Sequence, residues 1–125
     1  MNESQLNFQA EQVTVENSNG VYIVAFAARS NSDPDKYVIL QRSMGEGSGP
    51  EGDACYLEVS NFGRRYDEIA KATLSKNKLS LELDSHLDGL REINIIYNLD
   101  ANKQADLESQ LERIFKNTRC KFVKI

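Results

Sequence analysis

The sequence has no tryptophan, one histidine, two cysteines and two prolines in 125 residues, and each scarcity excludes something. Cys55 and Cys120 form no CxxC pair, and with His86 they fall short of the roughly four ligands that a structural zinc site needs. No metal and no cofactor is therefore expected. In a reducing compartment both cysteines read as small buried hydrophobes. The longest apolar run, Val21 to Ala28, contains Tyr22 and is far shorter than the ~20 residues needed to cross a bilayer. The opening stretch MNESQLNFQAEQ has no basic segment followed by an apolar one, so no secretory signal is expected and the cytoplasm is the expected location.

What is present points to one soluble globular domain over residues 1–125. Hydrophobic residues make up 40% and charged residues 27%, which is enough apolar surface for a core without disulfide or metal staples. Charge is unevenly divided. The net of −4 conceals a basic end, because residues 113–125 hold five basic side chains and no acid. The first 112 residues therefore carry 10 basic and 19 acidic side chains, a net of −9. Such a body repels nucleic acid and attracts basic proteins. Solvated surface charge is the plainer reading of the same count.

Period-two patterning dominates the chain. Glu11 to Glu16 alternates and runs into the turn Asn17-Ser-Asn-Gly20. Val21 to Ala28 is apolar on both faces, the pattern of a central strand covered above and below. Tyr37 to Gln41 and Ala54 to Val59 read as further strands. Between them, residues 44–53 contain four glycines and a proline and must form a loop. Asn61-Phe62-Gly63 reads as a turn. Ile69 to Leu74 and Lys78 to Leu83 pair as a hairpin, with one turn of helix the alternative for Ile69 to Leu74, His86 to Leu90 forms an irregular crossing, and Glu92 to Leu99 returns to strand. One helix is expected from about Ala101 to Phe115, where Leu107, Leu111, Ile114 and Phe115 form one stripe. Asp100 or Asn102 caps it, and a last strand, Lys121 to Ile125, docks on a sheet edge. The expected fold is α+β, a mainly antiparallel sheet of six to eight strands with one long helix in the C-terminal half packed against it.

Catalytic signatures are weak. The glycine loop lacks the lysine of a phosphate-binding loop and interleaves Gly45, Gly47, Gly49 and Gly52 with Glu46, Glu51 and Asp53, which repel phosphate. Those acids also lack the alternating spacing of a calcium loop. Asp84-Ser85-His86 lie too close in sequence for a catalytic triad, whose members come from separate elements, and His86 is expected to face solvent. No serine has the GxSxG frame. Arg64-Arg65-Tyr66 after Phe62 form a small basic and aromatic patch, but the surrounding acidity argues against nucleic acid and favours pairing with nearby acids.

The order Tyr37-Val-Ile-Leu-Gln-Arg42, glycine and acid loop, Asp53-Ala-Cys-Tyr-Leu-Glu58, hairpin through Lys78 to Leu83, Glu92 to Leu99 and the helix to Phe115 resembles immunity protein family 10 over about residues 37–116. The resemblance implies a small cytoplasmic bacterial immunity protein of a polymorphic toxin system. Its expected partner is a cognate toxin domain, in particular a basic one, which it inhibits without being an enzyme itself. Glu46, Glu51 and Asp53 in the loop, with Asp84 and Asp88 as a second patch, are the expected toxin-facing residues, because acidic charge steers association with a basic partner. The alternatives are a non-enzymatic homodimer joined through the edge of the C-terminal strand, and a small-ligand-binding domain. No membrane partner is expected.

Overall fold

In a computed structural model describing residues 5–28, 36–43, 54–116 and 118–125, ten strands and one helix are found. The strands are β1 (Gln5–Gln9), β2 (Gln12–Ser18), β3 (Val21–Ala27), β4 (Tyr37–Ser43), β5 (Tyr56–Val59) and β6 (Gly63–Tyr66). They continue with β7 (Ile69–Ser75), β8 (Lys78–Leu83) and β9 (Glu92–Ile96), then α1 (Ala101–Phe115) and β10 (Lys121–Lys124). No described helix is long and apolar enough to cross a membrane.

The α+β class holds, but the strands form two sheets of five rather than one sheet of six to eight. β2 to β6 follow one another as an antiparallel meander. The second sheet has the order β1-β9-β8-β7-β10; its three central strands are antiparallel and both edge strands pair in parallel. The chain changes sheets between two adjacent residues. Ala10 donates its N–H to Ile96 in the mixed sheet at 2.8 Å, and Glu11 donates to Ala27 in the meander at 2.9 Å. Alternation reports which face of a strand is buried, not which sheet it joins, so two sheets sharing one core give the same pattern as one.

Turn residues take the conformations their sequences favour. Asn19 and Gly20 both have positive φ (55° and 80°), as the two-residue turn between β2 and β3 demands. Between β7 and β8 the corresponding residue is Asn77, at φ 68°. The inward rows, Val24, Phe26, Val38, Leu40 and Leu57 from the meander and Leu79, Leu81, Ile93 and Ile95 from the mixed sheet, are buried. Each such side chain contributes about 1.5–3 kcal/mol by leaving water. Tyr97 stacks on Phe26 at 5.7 Å and joins the two layers.

The helix packs on the inner side of β2 to β4 and against β10. Asp100 caps its start, its Oδ1 accepting the Lys103 N–H at 2.8 Å. Besides the expected apolar stripe, Gln110 is buried, and its amide donates to the carbonyls of Glu16 and Ile23 on the β2–β3 ladder. The far end meets Arg42. This arginine is only 4% exposed on β4, and its Nη1 donates to the carbonyls of Arg113 and Ile114 at 3.2 Å each and to that of Lys116. A side chain from a strand thus serves the carbonyls that a helix leaves unpaired at its C-terminus.

A second correction concerns β3. Val24 and Phe26 are buried, whereas Val21, Ile23, Ala25 and Ala27 are half-buried on the outer face. No described strand or helix packs over that face, so the strand is apolar on both sides while covered, among the described residues, on one.

Candidate functional site

The acids expected to meet a partner fall into three situations. Glu46, Glu51 and Asp53 lie outside the described residues. Asp84 is half-buried and its carboxylate pairs with Arg119 at 2.6 Å, so its charge is compensated within the fold. Asp88 is exposed in the crossing between β8 and β9, at φ 55°, with no ion-pair partner among the described residues.

That crossing is held by Glu68, a carboxylate only 1% exposed. It accepts the His86 backbone N–H at 2.7 Å and lies 3.0 Å from the ring Nδ1 of His86, and Arg65 Nε stands 3.9 Å away. His86 itself is more than half exposed, as expected. Arg119 also donates to the Asp67 carbonyl at 3.0 Å. These charges cross-link β7, the crossing and the start of β10. Their partners are all within the protein, which is the arrangement of a structural brace.

The outer face of the meander has a different character. Cross-strand register aligns Thr14, Ala25, Ile39, Glu58 and Arg64 in one row, and Glu16, Ile23, Gln41, Tyr56 and Tyr66 in the next. Glu58 is the centre of a hydrogen-bonded group. The Tyr37 hydroxyl donates to its Oε2 at 2.8 Å and the Tyr56 hydroxyl to its Oε1 at 2.6 Å. The two donors hold the Glu58 carboxyl below the usual carboxylate range, Tyr56 contributing most. The Tyr37 hydroxyl is raised chiefly by the same bond, and that of Tyr56 by burial and then by Glu58. Tyr66 is 49% exposed and meets the Tyr56 ring edge-on, with centroids 5.5 Å apart. The basic and aromatic residues 64–66 therefore belong to a strand: Arg65 leans toward Glu68, and Arg64 stays on the tyrosine face.

Sequence reasoning did not single out Tyr37, Tyr56 and Glu58. Their signal was available as a glutamate and two tyrosines at strand positions facing the same way, in strands otherwise rich in apolar residues.

A cleft of about 460 Å³ runs along the helix between Leu99, Ala101, Ala105 and Ser109. Glu108 and Glu112 at its rim are both bound by Lys124 Nζ, at 3.2 and 2.5 Å. Among the described residues no group of three histidine, cysteine or acidic side chains is placed to hold a metal ion. Both cysteines are buried and unpaired.

No curated protein matches the sequence. A family match exists, and it covers residues 9–108, from the end of β1 across the whole meander and into the helix. It reaches further toward the start than the resemblance over 37–116 and stops about two turns before the end of the helix, leaving out β10. Within it lie Leu40 and Arg42 of the Leu-Gln-Arg strand, which face inward, and Gln41, which faces outward. With most of its residues matched in this way, the chain belongs to the immunity protein 10 family.

Proposed function

We propose that this protein binds a cognate toxin domain of a polymorphic toxin system in the cytoplasm and neutralises it by stoichiometric protein–protein inhibition. Membership of the immunity protein 10 family carries this reading. Such inhibition requires a complementary surface and no chemical step by the inhibitor. The composition adds support: the net charge of −9 over residues 1–112 raises the encounter rate with a basic partner. In this reading Glu46, Glu51 and Asp53, with Asp88, steer the approach, and Asp84 adds little because Arg119 compensates its charge.

The test begins with capture of partners by tagged protein from source-cell lysate at low and moderate salt, read by mass spectrometry. The expected partner is the C-terminal domain of a large secreted protein. Induced alone, that domain should arrest growth of a host, and co-expression of this chain should restore growth. Capture without protection would sink the reading.

A further inference from the structure

We propose that the outer face of the meander sheet is the toxin-binding face and that Glu58, held by Tyr37 and Tyr56 with Tyr66 packed on Tyr56, receives a lysine or arginine side chain of the toxin. The assignment rests on the toxin-binding reading above and adds the surface and the chemistry of the contact.

Four observations lead there. First, Glu58 is a carboxylate whose two oxygens already accept phenolic hydrogens at 2.8 and 2.6 Å, so it is fixed in place before any partner arrives. Neutral donors leave its negative charge intact, and each carboxylate oxygen keeps a second lone pair. Second, its cross-strand neighbour Arg64 forms no ion pair with it among the described residues and lies beside the Tyr56 hydroxyl, from where its charge still acts on Glu58. Glu58 thus has one cation nearby but, among the described residues, none in direct contact. Third, the hydroxyl ends of Tyr37 and Tyr56 meet at the carboxylate, and each phenolic oxygen, having donated its hydrogen, keeps lone pairs that can accept from an ammonium or guanidinium seated beside Glu58. Fourth, the apolar field of Val21, Ile23, Ala25 and Ile39 continues from this group across β3 and β4, half-buried and covered by no described element. Rigid tyrosines over an apolar floor make the kind of surface on which binding energy concentrates, because little side-chain freedom is lost on contact. The net charge of −9 over residues 1–112 matches a partner that supplies a cation.

Arg64 gives the test its sign. Next to a cation site it is a competing positive charge, so removing it should strengthen binding, whereas removing Glu58 or Tyr66 should weaken it. The variants are Glu58→Gln, Tyr66→Ala and Arg64→Ala, with Asp106→Asn on the exposed side of α1 as a control that removes the same charge elsewhere. Two probes are used: fluorescein-labelled octa-arginine amide, read by anisotropy at low salt, and the growth-arresting domain captured by the wild type, read by biolayer interferometry. Circular dichroism melts confirm that each variant is folded. Glu58→Gln and Tyr66→Ala should lose at least about tenfold in affinity for both probes, Arg64→Ala should bind as tightly as wild type or up to about threefold tighter, and Asp106→Asn should stay within about twofold. Equal binding of either probe by wild type and Glu58→Gln overturns the assignment, as does a tenfold loss in Arg64→Ala. Octa-arginine held at Glu58 by a chain that protects against no toxin would remove the toxin-binding reading and leave the cation site. Protection that survives Glu58→Gln and Tyr66→Ala would do the reverse.

Discussion

Arg42 is the residue whose removal should damage this fold most for its position outside the apolar core. The two hydrogens of its Nη1 are shared among three carbonyls at the end of α1, and the side chain is 4% exposed. Hydrogen bonds to a charged group contribute about 1.5–3 kcal/mol net, and a cation against a helix C-terminus adds about 0.3–2 kcal/mol. Loss of the buried stem contributes further packing. Arg42→Ala should therefore cost about 3–5 kcal/mol, a large share of the ~5–15 kcal/mol typical of a domain. For a chain of this length the melting temperature should fall by about 10–25 °C. Urea unfolding followed by circular dichroism measures it, with an unchanged slope expected because the surface exposed on unfolding is the same. Two further variants separate the causes. Arg42→Met keeps an apolar stem, and Arg42→Lys keeps the charge but not the planar fork. If hydrogen bonding dominates, Met should lose nearly as much as Ala, and Lys should fall between Met and wild type. A loss under about 1 kcal/mol in Arg42→Met would refute the capping argument, since the carbonyls would then be satisfied without the guanidinium.

Other expectations concern the brace, the thiols and the tyrosine face. Glu68→Ala should cost about 1–3 kcal/mol and remove hydrogen-exchange protection from the His86 amide, which donates to that carboxylate; unchanged protection would show that the crossing holds itself. Burial pushes the Cys120 thiol up to about 12 and raises that of Cys55 further. Both should therefore resist a thiol reagent near neutral pH in the folded state and react together on unfolding, and rapid reaction of either in native buffer would contradict the packing. The Glu58 carboxyl lies lower in the folded chain than in the unfolded one. Its stabilising contribution is therefore present above the unfolded value and is lost as pH falls through the folded one. Melting temperatures measured across the acid range should fall less steeply for Glu58→Gln than for wild type, and parallel curves would show that the tyrosine bonds carry no such linkage.

Much of the fold was legible in single strands and little in their assembly. Leu79, Leu81 and Leu83 declared their strand by alternation, and the helix stripe from Leu107 to Phe115 is the one observed. β1 carries little signal, since Leu6 and Phe8 give only two inward residues among glutamines and asparagine, and it exists by pairing in parallel with β9. Likewise β6 has no buried residue, so periodicity could not mark it. The site was less legible still. Acidity directed attention to Asp84, whose charge Arg119 compensates. The neighbours of Glu58 become visible only when three strands are in register. The outer residues of β3 are as apolar as its inner ones, and sequence does not distinguish a covered face from an uncovered one.

The two sheets also differ in how far apart their pairing residues lie along the chain. Every neighbour in the meander is the next strand in sequence, so that half can zip from local encounters. The mixed sheet is closed by pairing Gln5–Gln9 with Glu92–Ile96, where the Gln5–Glu92 contact spans 87 positions, and by bringing β10 back to β7 across the helix. Closing a loop costs more entropy as it lengthens, about 0.6 kcal/mol for each doubling, and this is spent before the contact repays it. Folding should thus be gated by the arrival of the two outer strands. The five-stranded meander, which carries the tyrosine face, can be the first part to take shape, and the rate-limiting step belongs to the sheet on the other side of the core.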